Sequence, residues 1–212
     1  MEMKNTNPKD DLLAIREMME RSTKFLSLSG LSGVFAGICA LIGAGVAYFE
    51  MPNHGQFQYD QNALELKSLG ENANLMFYLI DSLIVLIVAS IGAFYFSVRK
   101  ARKANQPFWT QSTARLFVQL LIPFVTGGVL SLIFVFRGEI QMVAPITLIF
   151  YGLALVNAGK FTFGEIQSLG LTEIALGILA AIFINHGLLF WALGFGVMHI
   201  VYGTAMYYRH ER

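Results

Sequence analysis

Charge is scarce in this chain. Only 14% of its 212 residues are Asp, Glu, Lys or Arg, while 55% are apolar. A soluble domain carries about a quarter charged residues, so a purely soluble protein is excluded. Fifteen basic against fourteen acidic residues leave a net charge of +1, which gives no basic surface for nucleic acid. Cysteine is almost missing: Cys39 stands alone inside an apolar run, which rules out an intrachain disulfide and a Cys-based zinc site. Prolines number five, and no Gly-Pro pair breaks an apolar run at its middle. Only Pro123 lies deep in such a run, where it is expected to kink a helix. Also missing are a His-Glu-x-x-His motif, a phosphate-binding glycine loop, a Ser/His/Asp arrangement and paired aspartates suited to Mg²⁺. Neither an enzyme nor a bound cofactor is expected.

What the chain does have is length of apolar sequence. Crossing about 30 Å of hydrocarbon takes roughly 20 apolar residues, and six stretches qualify: about 25–49, 74–98, 116–136, 140–158, 166–185 and 188–208. An all-α integral membrane protein with six transmembrane helices is the expected fold class. The fourth stretch carries Pro145 near its start, where proline costs least. The fifth is the most polar at its beginning, with Ser168, Gly170 and Glu173. Only Ile184-Asn185-His186-Gly187 separates the fifth from the sixth, which forces an antiparallel hairpin.

Basic residues test that map. With the N-terminus inside, thirteen of the fifteen fall on the cytoplasmic side, and only Lys67 and Arg137 fall outside. This asymmetry orients membrane proteins. Both termini, including the tail 209–212, are expected in the cytoplasm. Segment 1–24 shows no cleavable signal pattern. Asp10 and Asp11 can cap a helix whose Leu12, Ile15 and Met19 form one stripe, which suits an amphipathic helix on the membrane surface. A docking helix for a soluble partner is the alternative. Arg99-Lys100-Ala101-Arg102-Lys103 suits a stop-transfer anchor or, less simply, a contact for anionic lipid. Pro107-Phe108-Trp109 suits an interfacial anchor. In the long loop 50–73, His54, Tyr59 and Asp60 could bind a metal, although a solvated loop is the plainer reading.

The spans repeat weakly. Shifting the first by 140 residues matches Leu31 with Leu171, Gly37 with Gly177, Ile38 with Ile178, Ala40 with Ala180 and Ile42 with Ile182. Gly128-Val129-Leu130-Ser131 occupies the equivalent place in the third span, and Tyr151-Gly152 parallels Tyr202-Gly203. Three antiparallel hairpin repeats are the simplest account. The Gly-Ile-x-Ala-x-Ile helix, the Asn-His-Gly turn and the Gly-rich last span resemble the hairpins of the HdeD-like acid-resistance membrane family, which has six spans. The segments DDLLAIREMMERSTKFLSLSGLSGVFAG and LLFWALGFGVMHIVYGTAMYYRHER are similar to a group of uncharacterised six-span bacterial membrane proteins. These resemblances imply a bacterial inner-membrane protein and carry no catalytic residues.

Ionisable groups at membrane depth are functional candidates by default, and three stand out: Asp81, Glu173 and His199. Gly170, Glu173 and Gly177 share the spacing of Gly196, His199 and Gly203, which puts each polar residue on a glycine face. A Glu173–His199 contact is expected. It serves either as a structural hydrogen bond or as a proton or cation site, since a histidine beside a carboxylate is suited to proton exchange. A haem or metal ligand is disfavoured, because no second histidine lies at that depth. Asp81 needs a partner on another span, and Arg137 can snorkel toward it. Gln119, Thr126 and Asn157 suit helix–helix contacts. Gly33 and Gly37 with Ser29, and Ala36, Ala40 and Ala44, form two small-residue ridges on the first span, for packing within the chain or in a homo-oligomer. The function expected is a non-catalytic structural, stress-related or regulatory membrane protein acting through a partner or lipid. A small proton- or cation-linked transporter is the alternative.

Overall fold

Six helices long and apolar enough to cross a membrane make up the computed structural model, which describes residues 25, 27–50 and 71–212. They are α1 (Gly30–Phe49), α2 (Glu71–Lys103), α3 (Gln111–Phe136), α4 (Val143–Gly159), α5 (Gly164–Ile182) and α6 (Ile184–His210). Among the described residues there is no strand. The expected amphipathic segment 1–24 and the His54, Tyr59 and Asp60 group lie outside the described residues.

The helix ends follow local rules. α2 runs past the expected residue 98 through the basic cluster and closes at Asn105, whose φ is 50°. There the Gln106 N–H bonds the Ala101 carbonyl (3.0 Å) and the Asn105 N–H bonds the Arg102 carbonyl (3.1 Å), a paired C-terminal cap with Pro107 just beyond. α3 starts five residues earlier than expected because Thr110 and Thr113 cap it reciprocally. It is continuous through Pro123 and ends in the same paired cap, with Gly138 at φ 78°. α5 stops at Ile182, and α6 opens with a 3₁₀ turn over Ile184–His186, as the short connection demands. α6 is not uniform. Between the α-helical stretches Gly187–Trp191 and His199–His210 it winds as a π-helix over Ala192–Met198.

Neighbours run in an open row. α2 packs on α1, α1 on α6, α6 on α5, α5 on α4 and α4 on α3, while α2 and α3 make almost no contact with each other. Large apolar side chains on the outer faces, such as Ile84, Ile87 and Ile91 of α2 or Ile122, Val125 and Val129 of α3, are exposed. In water these would be a liability; against lipid tails they are satisfied.

Two tight crossings hold the middle of the row. A Cβ on Gly203 would lie 2.7 Å from the Gly30 carbonyl oxygen and 2.7 Å from the Val34 nitrogen. A Cβ on Gly152 would lie 2.6 Å from the Gly170 carbonyl oxygen and 2.8 Å from the Ile174 nitrogen. Gly30 and Val34 become Gly170 and Ile174 under the 140-residue shift, so the α1–α6 and α5–α4 crossings use equivalent positions. A threefold arrangement would need a third crossing, between α3 and α2, and that one is missing. Gly128, the counterpart of Gly37, has open space around it. On α1, Gly30, Gly33 and Gly37 pack inside the chain against α6.

The end of the bundle where α1 begins and α6 stops is tied by polar groups. The Glu211 carboxylate accepts the Gly30 N–H and the Ser29 hydroxyl (3.1 Å), so a residue near the far end of the chain caps α1. Ser29 itself makes no side-chain cap. Lys100 donates to the Leu28 carbonyl (2.7 Å) and to Glu211 (3.3 Å), and its ammonium lies over the Phe163 ring. Arg209 and His210 both bond Glu165 at the start of α5 (2.8 and 3.2 Å). Arg99, Arg102 and Lys103 stay exposed, so Lys100 alone of the basic cluster turns inward.

Candidate functional site

Three helices bring one polar side chain each to the centre of the bundle: Tyr151 from α4, Glu173 from α5 and His199 from α6. Backbone proximity makes this meeting possible. Gly170 and Gly177 let α5 lie against Gly152, Ile149 and Leu148 of α4. Gly30, Gly33 and Gly37 let α1 press α6 from its other side. A helix with side chains at those places would stand farther from its partner.

Glu173 is 0% exposed and His199 5%. His199 Nδ1 lies 3.4 Å from Glu173 Oε1, so the expected pair forms. The same Nδ1 is 3.0 Å from the Gly194 carbonyl oxygen, and Nε2 is 2.9 Å from the Tyr151 hydroxyl. A carbonyl only accepts, so Nδ1 carries a hydrogen. The ring of His199 stacks on Tyr151 (5.5 Å between centroids) and on Phe195 (6.0 Å). Neither oxygen of Glu173 has a hydrogen-bond partner. Its Oε1 is near Nδ1 but not aligned for a bond, and its Oε2 abuts Gly194. A buried carboxylate without a donor is costly. One turn away, the Thr172 hydroxyl meets that of Tyr202 (3.2 Å).

One expectation about this pair needs correction. Glu173 and His199 were placed on the glycine faces of their helices, with Gly177, Gly196 and Gly203 beside them. Gly196 and Gly203 face α1, while His199 turns to Tyr151 of α4 and Glu173 of α5. On α6 the π-helical stretch carries about one extra residue per turn through Ala192–Met198 and alters the spacing from Gly196 to His199. On α5, which is α-helical throughout, Gly177 faces α4. The glycine that makes room for Glu173 is Gly194.

Asp81 and Arg137 do not meet. Arg137 Nε lies 3.7 Å from Glu139, its near neighbour in the same turn, and both are solvent-facing. The cause is the row order: α2 and α3 are the two ends of the row and are not adjacent. Asp81 is half-buried against α1, with its Oδ2 3.4 Å from where a Cβ on Gly43 would stand. It belongs to a different part of the bundle from Glu173. The weaker polar points act locally: Thr126 bonds the Ile122 carbonyl of its own helix (2.7 Å), Asn157 accepts from Lys160 (3.4 Å), and Gln119 lines a surface groove with Arg115 and Phe161.

Tyr151 and Gly194 were missed as site residues. A tyrosine at mid-helix in an otherwise apolar span was a usable signal for the first. The Gly194-Phe195-Gly196 step inside a helix was one for the second, because it weakens the α register locally. Among the described residues no three His, Cys, Asp or Glu side chains stand close enough to hold a metal ion. What the cluster can do chemically is hold a proton between a carboxylate and an imidazole, or tie three helices together. Comparison with known proteins finds no match, whether a family model, a curated protein or a solved structure.

Proposed function

We propose that the chain is a non-catalytic polytopic membrane protein of structural, stress-related or regulatory type, acting through a partner or a lipid from the bacterial inner membrane with both termini in the cytoplasm. One observation carries this reading. Among the described residues, the one ionisable pair at the centre of the bundle is sealed, with Glu173 and His199 buried and glycine-to-backbone crossings on either side. Asp81, the other membrane-depth carboxylate, lies on the outermost helix α2, which packs on α1 and not on α5. A transport path needs a site that water reaches from each side in turn, and these residues do not form a line toward one. The HdeD-like resemblance fits the same reading.

A small proton- or cation-linked transporter using Asp81, Glu173 and His199 is the second reading. It is favoured by the two unpartnered oxygens of Glu173, which suit a transient ligand better than a finished structural bond. Liposomes that hold the purified protein and a pH-sensitive dye separate the two. On the structural and regulatory reading, imposed proton, Na⁺ and K⁺ gradients decay no faster than in empty liposomes. Decay that depends on the protein and disappears in Glu173→Gln with His199→Ala overturns it.

A further inference from the structure

The hydrogen inventory of the central cluster does not close without one more proton. His199 Nδ1 holds a hydrogen for the Gly194 carbonyl, and the Tyr151 hydroxyl shares its own with Nε2. That leaves Glu173 with no donor on either oxygen. Among the described residues, no cation from another helix answers its charge. α1 and α4 contain no charged residue, α3 contains only Arg115 near its start, and Arg209 and His210 of α6 are bound to Glu165 at the bundle end. Of the titratable groups facing Glu173, α4 brings Tyr151 and α6 brings His199, with Tyr202 one turn away on Thr172. Cys39 is the titratable group of α1 at that depth. An ionised Glu173 beside a neutral imidazole would be an unpaired buried charge, which proteins do not hold in dry packing. The closed cluster therefore carries one proton on the pair, either as carboxylic acid with imidazole or as carboxylate with imidazolium.

Both Glu173 oxygens are buried. Oε2 lies against Gly194, where an added Cβ would meet it and would also lie 2.6 Å from Leu148 Cδ2. Gly194 belongs to the π-helical stretch of α6, and such stretches are a short alternative to the α register, frequent at functional sites. The two halves of α6 are held unequally. The half His199–His210 is clamped by the Gly30–Gly203 crossing and by Glu211 on α1. The half Gly187–Trp191 meets α1 through Leu188 and Trp191 packed on Ala44 and Ala47, side-chain contacts that can slide. Phe195 links this half to the cluster, with its ring 5.0 Å from Trp191 and 4.9 Å from Tyr151.

We propose that the Glu173–His199 pair is a proton-binding site covered by the π-helical stretch Ala192–Met198, so that gain or loss of one proton is coupled to the register of the outer half of α6. This rests on the regulatory reading above and names its ligand. Removing the proton leaves a carboxylate that only water can satisfy, and the cover over it must then rewind toward α and open.

The chain supplies its own reporter. It has two tryptophans, Trp109 and Trp191, and Trp109 is an exposed interfacial residue. In the full chain carrying Trp109→Phe, reconstituted in liposomes with equal pH on both sides, Trp191 emission is followed from acid to alkaline pH. The expected result is a single one-proton transition. It is lost in Glu173→Gln, which keeps the acid spectrum at every pH, and retained in His186→Gln and His210→Gln. A transition that survives Glu173→Gln, or no transition in the parent, overturns the proposal. Should Glu173→Gln fail to fold, hydrogen exchange of the parent decides. Protection corrected for intrinsic rate should fall at alkaline pH within Ala192–Met198, and an unchanged pattern there overturns it equally. Ion flux tests the functional reading separately: a silent Trp191 in a non-conducting protein removes the proton site and leaves that reading standing.

Discussion

Replacing Gly203 by alanine tests the central packing claim with the smallest available perturbation. The added methyl would stand 2.7 Å from the Gly30 oxygen, 2.7 Å from the Val34 nitrogen and 3.0 Å from the Gly33 carbonyl carbon. All three are backbone atoms, so no rotamer change can relieve the overlap. Favourable carbon contacts begin near ~3.5 Å, so α1 and α6 must part by about 0.8 Å. A gap of that size forfeits a quarter to a half of the dispersion energy along the crossing. Overpacking of this kind costs about 1–3 kcal/mol, and rigid neighbours place it near the top of that range. Alanine's better helix propensity returns up to about 1 kcal/mol, which leaves a net loss of about 1–2 kcal/mol. Gly128→Ala supplies the control. Nothing lies within 4 Å of the Cβ it would add, so only the propensity gain remains and the protein should be as stable as its parent or slightly more so. Equilibrium unfolding in mixed micelles with rising SDS reads both. If the two variants unfold at the same SDS fraction, the close crossing is not a source of stability and the reasoning fails. Gly152→Ala, at the equivalent crossing of α4 on α5, should match Gly203→Ala.

Three further outcomes follow from the polar contacts. Gly194→Ala drives a methyl into Glu173 Oε2 and Leu148 and should cost about 1–3 kcal/mol in the same unfolding assay. Most of that loss should vanish when Glu173→Ala is added, so a double-mutant cycle that comes out additive contradicts the contact. Tyr151→Phe removes one hydrogen bond to His199 Nε2 and should cost only about 0.6–1.7 kcal/mol, the range of interhelical bonds in membranes. A larger loss would show that the hydroxyl also orients Glu173. Glu211→Ala uncaps α1 and strips Lys100 of its carboxylate partner, leaving the Leu28 carbonyl. It should cost about 0.5–2 kcal/mol and speed amide exchange in the first turn of α1, whereas Arg212→Ala should leave that exchange unchanged.

How much of the site was legible before the structure varies residue by residue. Glu173 and His199 could be found because a bilayer makes any ionisable residue conspicuous, and the four-residue connection between their helices forced them into adjacent spans. Tyr151 reaches the same cluster from α4, and nothing local to its sequence says which helices α4 touches. Gly194 was hidden for another reason. Regular 3.6-residue spacing assigns Gly196 to the face of His199, and the π-helical stretch, a tertiary accommodation, alters that step. The expected Asp81–Arg137 pair failed on adjacency: charge complementarity was correct in principle, but α2 and α3 stand at opposite ends of the row. Glu211, in the tail 209–212, carried no signal of its own and proved to be a helix cap from across the chain.

By itself, then, the sequence determined the six membrane-crossing helices and their approximate limits. The hydrocarbon thickness sets a length, and every backbone polar group must be satisfied within its own helix, so these properties can be read locally. Which helices neighbour one another, where the row stays open, and which way Glu173 and His199 point were decided only in the tertiary structure. They depend on how closely one backbone can approach another, and that is a property of two helices at once.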